Sequence, residues 1–219
     1  MFTLRVKICG LTQADQAVAI ARLGATTLGF IAVEASPRYI PPNQLQCLTE
    51  TLIAKSPHTQ RVGVFANAPL DFIVKFQRAG QLTGIQLHGD EGVNDCQMVR
   101  DSLPEVEIIK AIRVKDKASL ENALQYGSIV DALLLDAYRP GVLGGTGATL
   151  DWETLTAFSP PCPWLLAGGL RPDNVAQALE RVTPSGIDLS SGVERSPGNK
   201  DLDKVAQLFQ ELRQLNMVK

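Results

Sequence analysis

Short apolar runs alternate with stretches of helical periodicity along all 219 residues, at nearly even spacing and with no long linker. Strands are expected at 5–8, 27–31, 61–65, 84–87, 108–112, 132–135, 164–166 and 186–189. Several are continuous rather than alternating in hydrophobicity, as suits parallel strands covered on both faces. Eight strand–helix units with no unpaired block favour closure into a single-domain (β/α)8 barrel over 1–219, with an open doubly wound sheet as the alternative. The length is slightly short for such a barrel, so its loops must be compact.

The helices carry their own boundary signals. Thr12 followed by Asp15 resembles an acidic capping box, Gly24 is placed to stop that helix, and Asp151 and Asp173 are expected N-caps of helices 6 and 7. Leu202, Val205, Leu208, Phe209, Leu212 and Leu215 share one face at helical spacing, which reads as a face packed on the barrel.

Composition narrows the partners. Twenty-one basic residues against 23 acidic ones leave a faintly acidic chain without a basic block, which argues against nucleic acid. Charges interrupt every apolar stretch before membrane-spanning length, and the first residues lack the layout of a secretory signal, so a cytoplasmic location is expected. Cys9, Cys47, Cys96 and Cys162 are scattered and accompanied only by His58 and His88. Neither a disulfide framework nor a metal site is expected from that spacing.

The last quarter holds two apolar runs that end in small, amide-rich loops: Trp164-Leu165-Leu166-Ala167-Gly168-Gly169-Leu170 and Gly186-Ile187-Asp188-Leu189-Ser190-Ser191-Gly192-Val193. Each precedes a helical pattern, and a helix start offers unpaired N–H donors and partial positive charge. Two such loops after strands 7 and 8 suit a phosphate, so the expected partner is a small phosphorylated molecule. Gly168, Gly169, Ser190, Ser191 and Gly192 are the candidate phosphate ligands. Function in a barrel sits at the C-terminal strand ends, and that rule selects Cys9, Arg38, His88, Asp90, Asp136 and Asp188.

Val6-Lys7-Ile8-Cys9-Gly10, Ser36-Pro37-Arg38-Tyr39-Ile40, Gln86-Leu87-His88-Gly89-Asp90-Glu91, Leu134-Leu135-Asp136 with Gly144-Gly145-Thr146-Gly147, Ala167-Gly168-Gly169-Leu170 and Asp188-Leu189-Ser190-Ser191-Gly192-Val193-Glu194 follow one another in order. This ordered set closely resembles the phosphoribosylanthranilate isomerases of tryptophan biosynthesis. The resemblance implies a (β/α)8 barrel that performs an Amadori rearrangement without cofactor, with Cys9 as general base and Asp136 as general acid. It adds Gly145 and Gly147, in the loop 143–147, to the phosphate contacts. Ala148, Leu150 and Ala32 depart from the lysine, phenylalanine and aromatic residue common at those places, which bears on loop closure and substrate packing.

The chemistry is consistent with those types. The ring oxygen must be protonated, and a C2 proton must be removed from the resulting iminium. A thiol with an ordinary pKa near 8.5 starts with a handicap of about 2 kcal/mol at neutral pH, which the iminium partly offsets. A carboxyl acting as acid near neutrality lies about 4 kcal/mol from its ordinary state, and burial and the substrate's own carboxylate push in the required direction. Plainer readings stand beside these. Cysteine is commonly a small buried apolar residue, and Cys47, Cys96 and Cys162 are read that way.

Arg38 suits either a surface acid or a place beside the anthranilate ring or the active-site carboxylates. His88 could orient Asp90 or Glu91, be structural, or line the pocket; Asp188 could bond a sugar hydroxyl or serve structurally. Lys7 shares the inward side of Cys9, deeper, where a structural role is expected. An indole-forming synthase would instead need lysine and glutamate acid–base groups. A related histidine-pathway isomerase would place aspartate where Cys9 stands, and a non-catalytic binding protein would lack the acid–base pair. The association state is expected to be monomer or homodimer.

Overall fold

The computed structural model describes residues 4–137 and 152–218. Gly145 and Gly147, with Ala148, Leu150 and Asp151, lie outside the described residues. Eight parallel strands close on themselves in chain order: β1 (Arg5–Cys9), β2 (Thr27–Ile31), β3 (Gln60–Phe65), β4 (Gly84–Leu87), β5 (Glu107–Val114), β6 (Ala132–Ala137), β7 (Trp164–Leu166) and β8 (Gly186–Leu189). Closure is made by β8 against β1, with Lys7 opposite Asp188 and Ile8 opposite Leu189. The closed (β/α)8 architecture read from the alternation is the one observed.

Side chains alternate across each strand, so one parity fills the barrel and the other faces the helices. Val62, Ile109, Ala111, Ala132, Leu134, Leu165 and Ala167 pack inside. Val6, Ile8, Leu28, Phe30, Ile85, Leu133, Leu166 and Ile187 pack outward in the larger cluster beneath the helices. The helices are α1 (Ala14–Leu23), α2 (Pro42–Lys55), α3 (Leu70–Gly80), α4 (Val93–Ser102), α5 (Lys117–Ala123), α6 (Val175–Arg181) and α7 (Leu202–Gln214). In α7, Val205, Leu208, Phe209 and Leu212 are fully buried, the face expected from their spacing. No helix among the described residues is long and apolar enough to cross a membrane.

Several local expectations are corrected. After β6 the described residues hold a 3-10 turn, Trp152–Leu155, in place of a sixth α-helix. Thr12 does not cap α1: Gln13 occupies the N-cap without a side-chain bond, and the Thr12 hydroxyl donates to Gly198 O. Gly24 does close that helix. Asp173 is not a cap either, because Asn174 precedes α6 and Asp173 accepts from Arg171 Nε. Between β8 and α7 the chain makes a 3-10 turn, Ser191–Val193, and a hairpin of β9 (Glu194–Ser196) and β10 (Asn199–Lys200) that the hydrophobic pattern does not announce. Its signal was the Ser196-Pro197-Gly198 turn.

Candidate active site

The inward parity delivers polar side chains to the C-terminal mouth of the barrel, where a cavity of about 400 Å³ opens. Cys9, Arg38, His88, Asp136 and Asp188 all line it, as do Gly168, Gly169, Ser190, Ser191 and Gly192. Five strand-end candidates and five loop candidates thus meet in one space. Asp90 does not line it: it pairs with Arg113 at the surface, and its backbone N–H donates to Asn67.

Cys9 ends β1 with its sulfur against bare backbone. A Cβ on Gly29, its partner on β2, would stand 2.6 Å from Sγ, so glycine is what makes room for the thiol. Burial pushes the Cys9 thiol up from its ordinary range, while Lys7 and Lys200 act to lower it and Asp188 to raise it. One turn of the pleat deeper, Lys7 Nζ lies 2.8 Å from Asp188 Oδ2 with no solvent exposure. The Lys7 ammonium pays for burial but is held protonated above its ordinary value by Asp188 and Cys9. Burial likewise pushes the Asp188 carboxyl up against the opposing pull of Lys7. Asp188 Oδ1 is buried without a hydrogen-bond partner among the described residues, an acceptor available at the cavity wall.

Asp136 ends β6, and His88 follows β4. His88 Nε2 stands 3.3 Å from Asp136 Oδ2. Gln86, on the same inward parity two residues earlier, places its side-chain Nε2 3.0 Å from His88 Nδ1. With the amide nitrogen placed there, Nδ1 is the acceptor, while Nε2 faces Asp136 without a hydrogen-bond partner among the described residues. His88 therefore orients neither Asp90 nor Glu91. Glu91 is occupied elsewhere: it accepts from Asn67 N and Gly89 N and pairs with Lys110 at 2.8 Å. Lys110 lies between inward-facing Ile109 and Ala111 on β5 and does not line the cavity.

Arg38 meets neither a surface acid nor the carboxylates singled out in the sequence. Its Nε and one terminal nitrogen bind Glu194, the latter at 2.8 Å from Oε2, in a buried fork. Glu194 also accepts from Lys200 Nζ at 2.7 Å. Burial raises the Glu194 carboxyl, but Arg38 and Lys200 outweigh it and hold the group below the ordinary carboxylate range. Lys200 donates further to Cys9 O and, at 3.3 Å, to Ser190 O. Glu194, Lys200 and Gln86 escaped the sequence reading as site residues. The first two arrive on the unanticipated hairpin, whereas Gln86 was legible as the inward neighbour of His88.

The loops after β7 and β8 touch. A Cβ on Gly192 would fall 2.0 Å from Leu170 O, so only glycine lets the second loop close on the first. Gly168 and Gly169 have φ of +85° and +65°, which turns the first loop sharply after β7. Asn174 holds that turn: its amide donates to Gly169 O at 3.0 Å and its carbonyl accepts from Arg171 N at 2.7 Å. The donors around the cradle belong to loops and a 3-10 turn; α6 begins only at Val175, after Asn174. Among the described residues no group of three or more His, Cys, Asp or Glu side chains is arranged to hold a metal.

The arrangement combines a buried thiol, a carboxyl beside an imidazole and two closely packed glycine-bearing loops around one cavity. A family described as N-(5'phosphoribosyl)anthranilate (PRA) isomerase matches residues 6–211. The chain belongs to the phosphoribosylanthranilate isomerase family. Members of that family are isomerases, and so is this protein. It is 58% identical over 215 residues to the N-(5'-phosphoribosyl)anthranilate isomerase of Acaryochloris marina, covering 97% of this chain and 99% of that one. The Synechococcus elongatus protein of the same name is 55% identical over 216 residues, 99% of either chain. Among solved structures, phosphoribosyl anthranilate isomerase from Thermotoga maritima superposes with a TM-score of 0.87 at 33% identity, covering 97% of this chain and all of that one. A structure of phosphoribosyl anthranilate isomerase in complex with reduced 1-(o-carboxyphenylamino)-1-deoxyribulose 5-phosphate has a TM-score of 0.84 at 31% identity, with the same coverage.

Proposed function

We propose that this protein converts N-(5-phosphoribosyl)anthranilate to 1-(2-carboxyphenylamino)-1-deoxyribulose 5-phosphate in cytoplasmic tryptophan biosynthesis, with Cys9 as general base, Asp136 as general acid and no cofactor. The observation that carries this reading is the convergence of Cys9 and Asp136 on one cavity whose rim is formed by the two glycine-bearing loops. The complex of a relative with the reduced product supports a ligand of the same chemistry.

The steps follow from the two groups. Asp136 gives its proton to the furanose oxygen, the bond from C1 to that oxygen breaks, and the nitrogen lone pair forms the C1 iminium. The Cys9 thiolate then takes the C2 proton; the C–H electrons become the C1–C2 double bond, and the iminium electrons return to nitrogen. Loss of the O2 proton and gain of one at C1 turn the enolamine into the ketone. Each proton transfer by a positioned group accounts for about 10²–10⁴ in rate. The backbone donors of 168–169 and 190–192 hold the phosphate, and the free Oδ1 of Asp188 accepts from a ribose hydroxyl. Arg38 shapes the side where the anthranilate ring enters, its fork fixed by Glu194.

Freshly generated phosphoribosylanthranilate, with the isomeric product separated chromatographically, tests this directly. Wild type is expected to turn over, whereas Cys9→Ala and Asp136→Asn lose turnover by about 10²-fold or more and keep affinity for the reduced product. A fully active variant of either kind removes that residue from the reaction.

A further inference from the structure

Two lysines with unexposed side chains reach Cys9 from different elements. Lys7 rises from the same inward face of β1, two residues before Cys9. Lys200, on β10, reaches the carbonyl of the same residue and the carbonyl of Ser190 in the second anion loop. Burying an ammonium is costly unless anions meet it. Here the anions fall one short. Lys7 is matched by Asp188, while Lys200 and Arg38 share the single carboxylate of Glu194. Three cations therefore face two carboxylates in one contiguous network. The remaining titratable groups of the cavity are His88 and Asp136, on the wall formed by β4 and β6.

We propose that Lys7 and Lys200 form a cationic bracket that favours the Cys9 thiolate against its burial, Lys7 from the strand beneath the thiol and Lys200 through the carbonyl and the loop after β8. This rests on the reading of Cys9 as the base, and it explains how a thiol in a dry cavity serves as one. Burial by itself favours the neutral thiol. The unmatched positive charge opposes that, and the thiolate is the anion that balances the network. Both lysines act through Cys9 and touch no reacting atom, so they are positioning residues. Lys200 also ties the end of β1 to the loop around the phosphate, so the base and the sugar's anchor are held by one ammonium.

The test reads thiolate directly and independently of turnover. Wild type, Lys7→Met, Lys200→Met and the charge-neutral pair Lys7→Met/Asp188→Asn are treated with iodoacetamide across pH, and Cys9 alkylation is followed on its own peptide by mass spectrometry. Lys7→Met and Lys200→Met are each expected to react at Cys9 about tenfold more slowly at pH 7 than wild type, a displacement of the profile by about one pH unit, whereas the charge-neutral pair stays close to wild type. Exposed Cys47 supplies an internal standard whose profile stays fixed. If Lys7→Met alone does not fold because Asp188 is left unpaired, Lys200→Met carries the comparison. Profiles of Cys9 that coincide with wild type in the folded single variants overturn the bracket. A shifted profile together with an active Cys9→Ala enzyme would leave the bracket standing and remove the base assignment instead, so the two failures are distinguishable.

Discussion

Glu194 carries no reacting atom, yet it fixes two cations at the cavity wall. Its carboxyl is held below the ordinary value of 4.5 in the folded chain, so the folded state binds fewer protons than the unfolded one as the pH falls past that value. The stability it contributes is fully present above that pH and is lost as the pH drops through the lower folded value. Glu194→Gln should cost about 3–5 kcal/mol at pH 7, the range for removing one partner of a buried pair. It should also flatten the acid limb of the stability curve. Urea denaturation at pH 7 and at stepwise lower pH checks this; an acid limb as steep as wild type would contradict it. Cys9 and Asp136 were legible because strand alternation and the strand-end rule point at the same positions. Glu194 and Lys200 were not, since no period-2 or period-3.6 pattern marks a short hairpin that folds back over a strand end.

At the level of elements, the barrel's strands were readable to within one or two residues at each end, because short apolar-rich runs alternate with helical stretches at even spacing. The connections were less readable. Side-chain capping at Thr12 and Asp173 was expected from local chemistry, but a long-range bond to Gly198 and a neighbouring bond from Arg171 claimed those groups. Two glycines translate element packing into function. Gly29→Ala places a methyl 2.6 Å from Cys9 Sγ and 3.1 Å from its Cα, so the thiol must move. Its expected effect is a fall in kcat with KM little changed, read by steady-state kinetics; unaltered kcat would mean that the thiol's position is unimportant. Gly192→Ala drives the two anion loops apart at Leu170 O. Losing a charge-assisted bond worth about 1.5–3 kcal/mol should raise KM about tenfold or more. Calorimetric titration with the reduced product provides the check, and unchanged affinity would place the phosphate elsewhere.

Across the whole molecule, closure of eight strands in sequence order makes the inward parity common to all of them. That shared parity brings side chains from distant parts of the chain to one cavity. It also stacks support beneath function: Lys7 lies under Cys9 and Gln86 under His88, each two residues back along its strand. The fold class could be read from alternation alone, whereas the charge balance at the mouth depends on which parts of the chain the barrel brings together. The central claim is that Cys9 removes the proton from C2 of the ribose. Single-turnover rates with substrate carrying deuterium at C2, measured for wild type and Cys9→Ala, test it most directly. Wild type should turn the deuterated substrate over more slowly, and Cys9→Ala should lose turnover while keeping affinity for the product. A Cys9→Ala enzyme that turns over at the wild-type rate with the same isotope effect would contradict it.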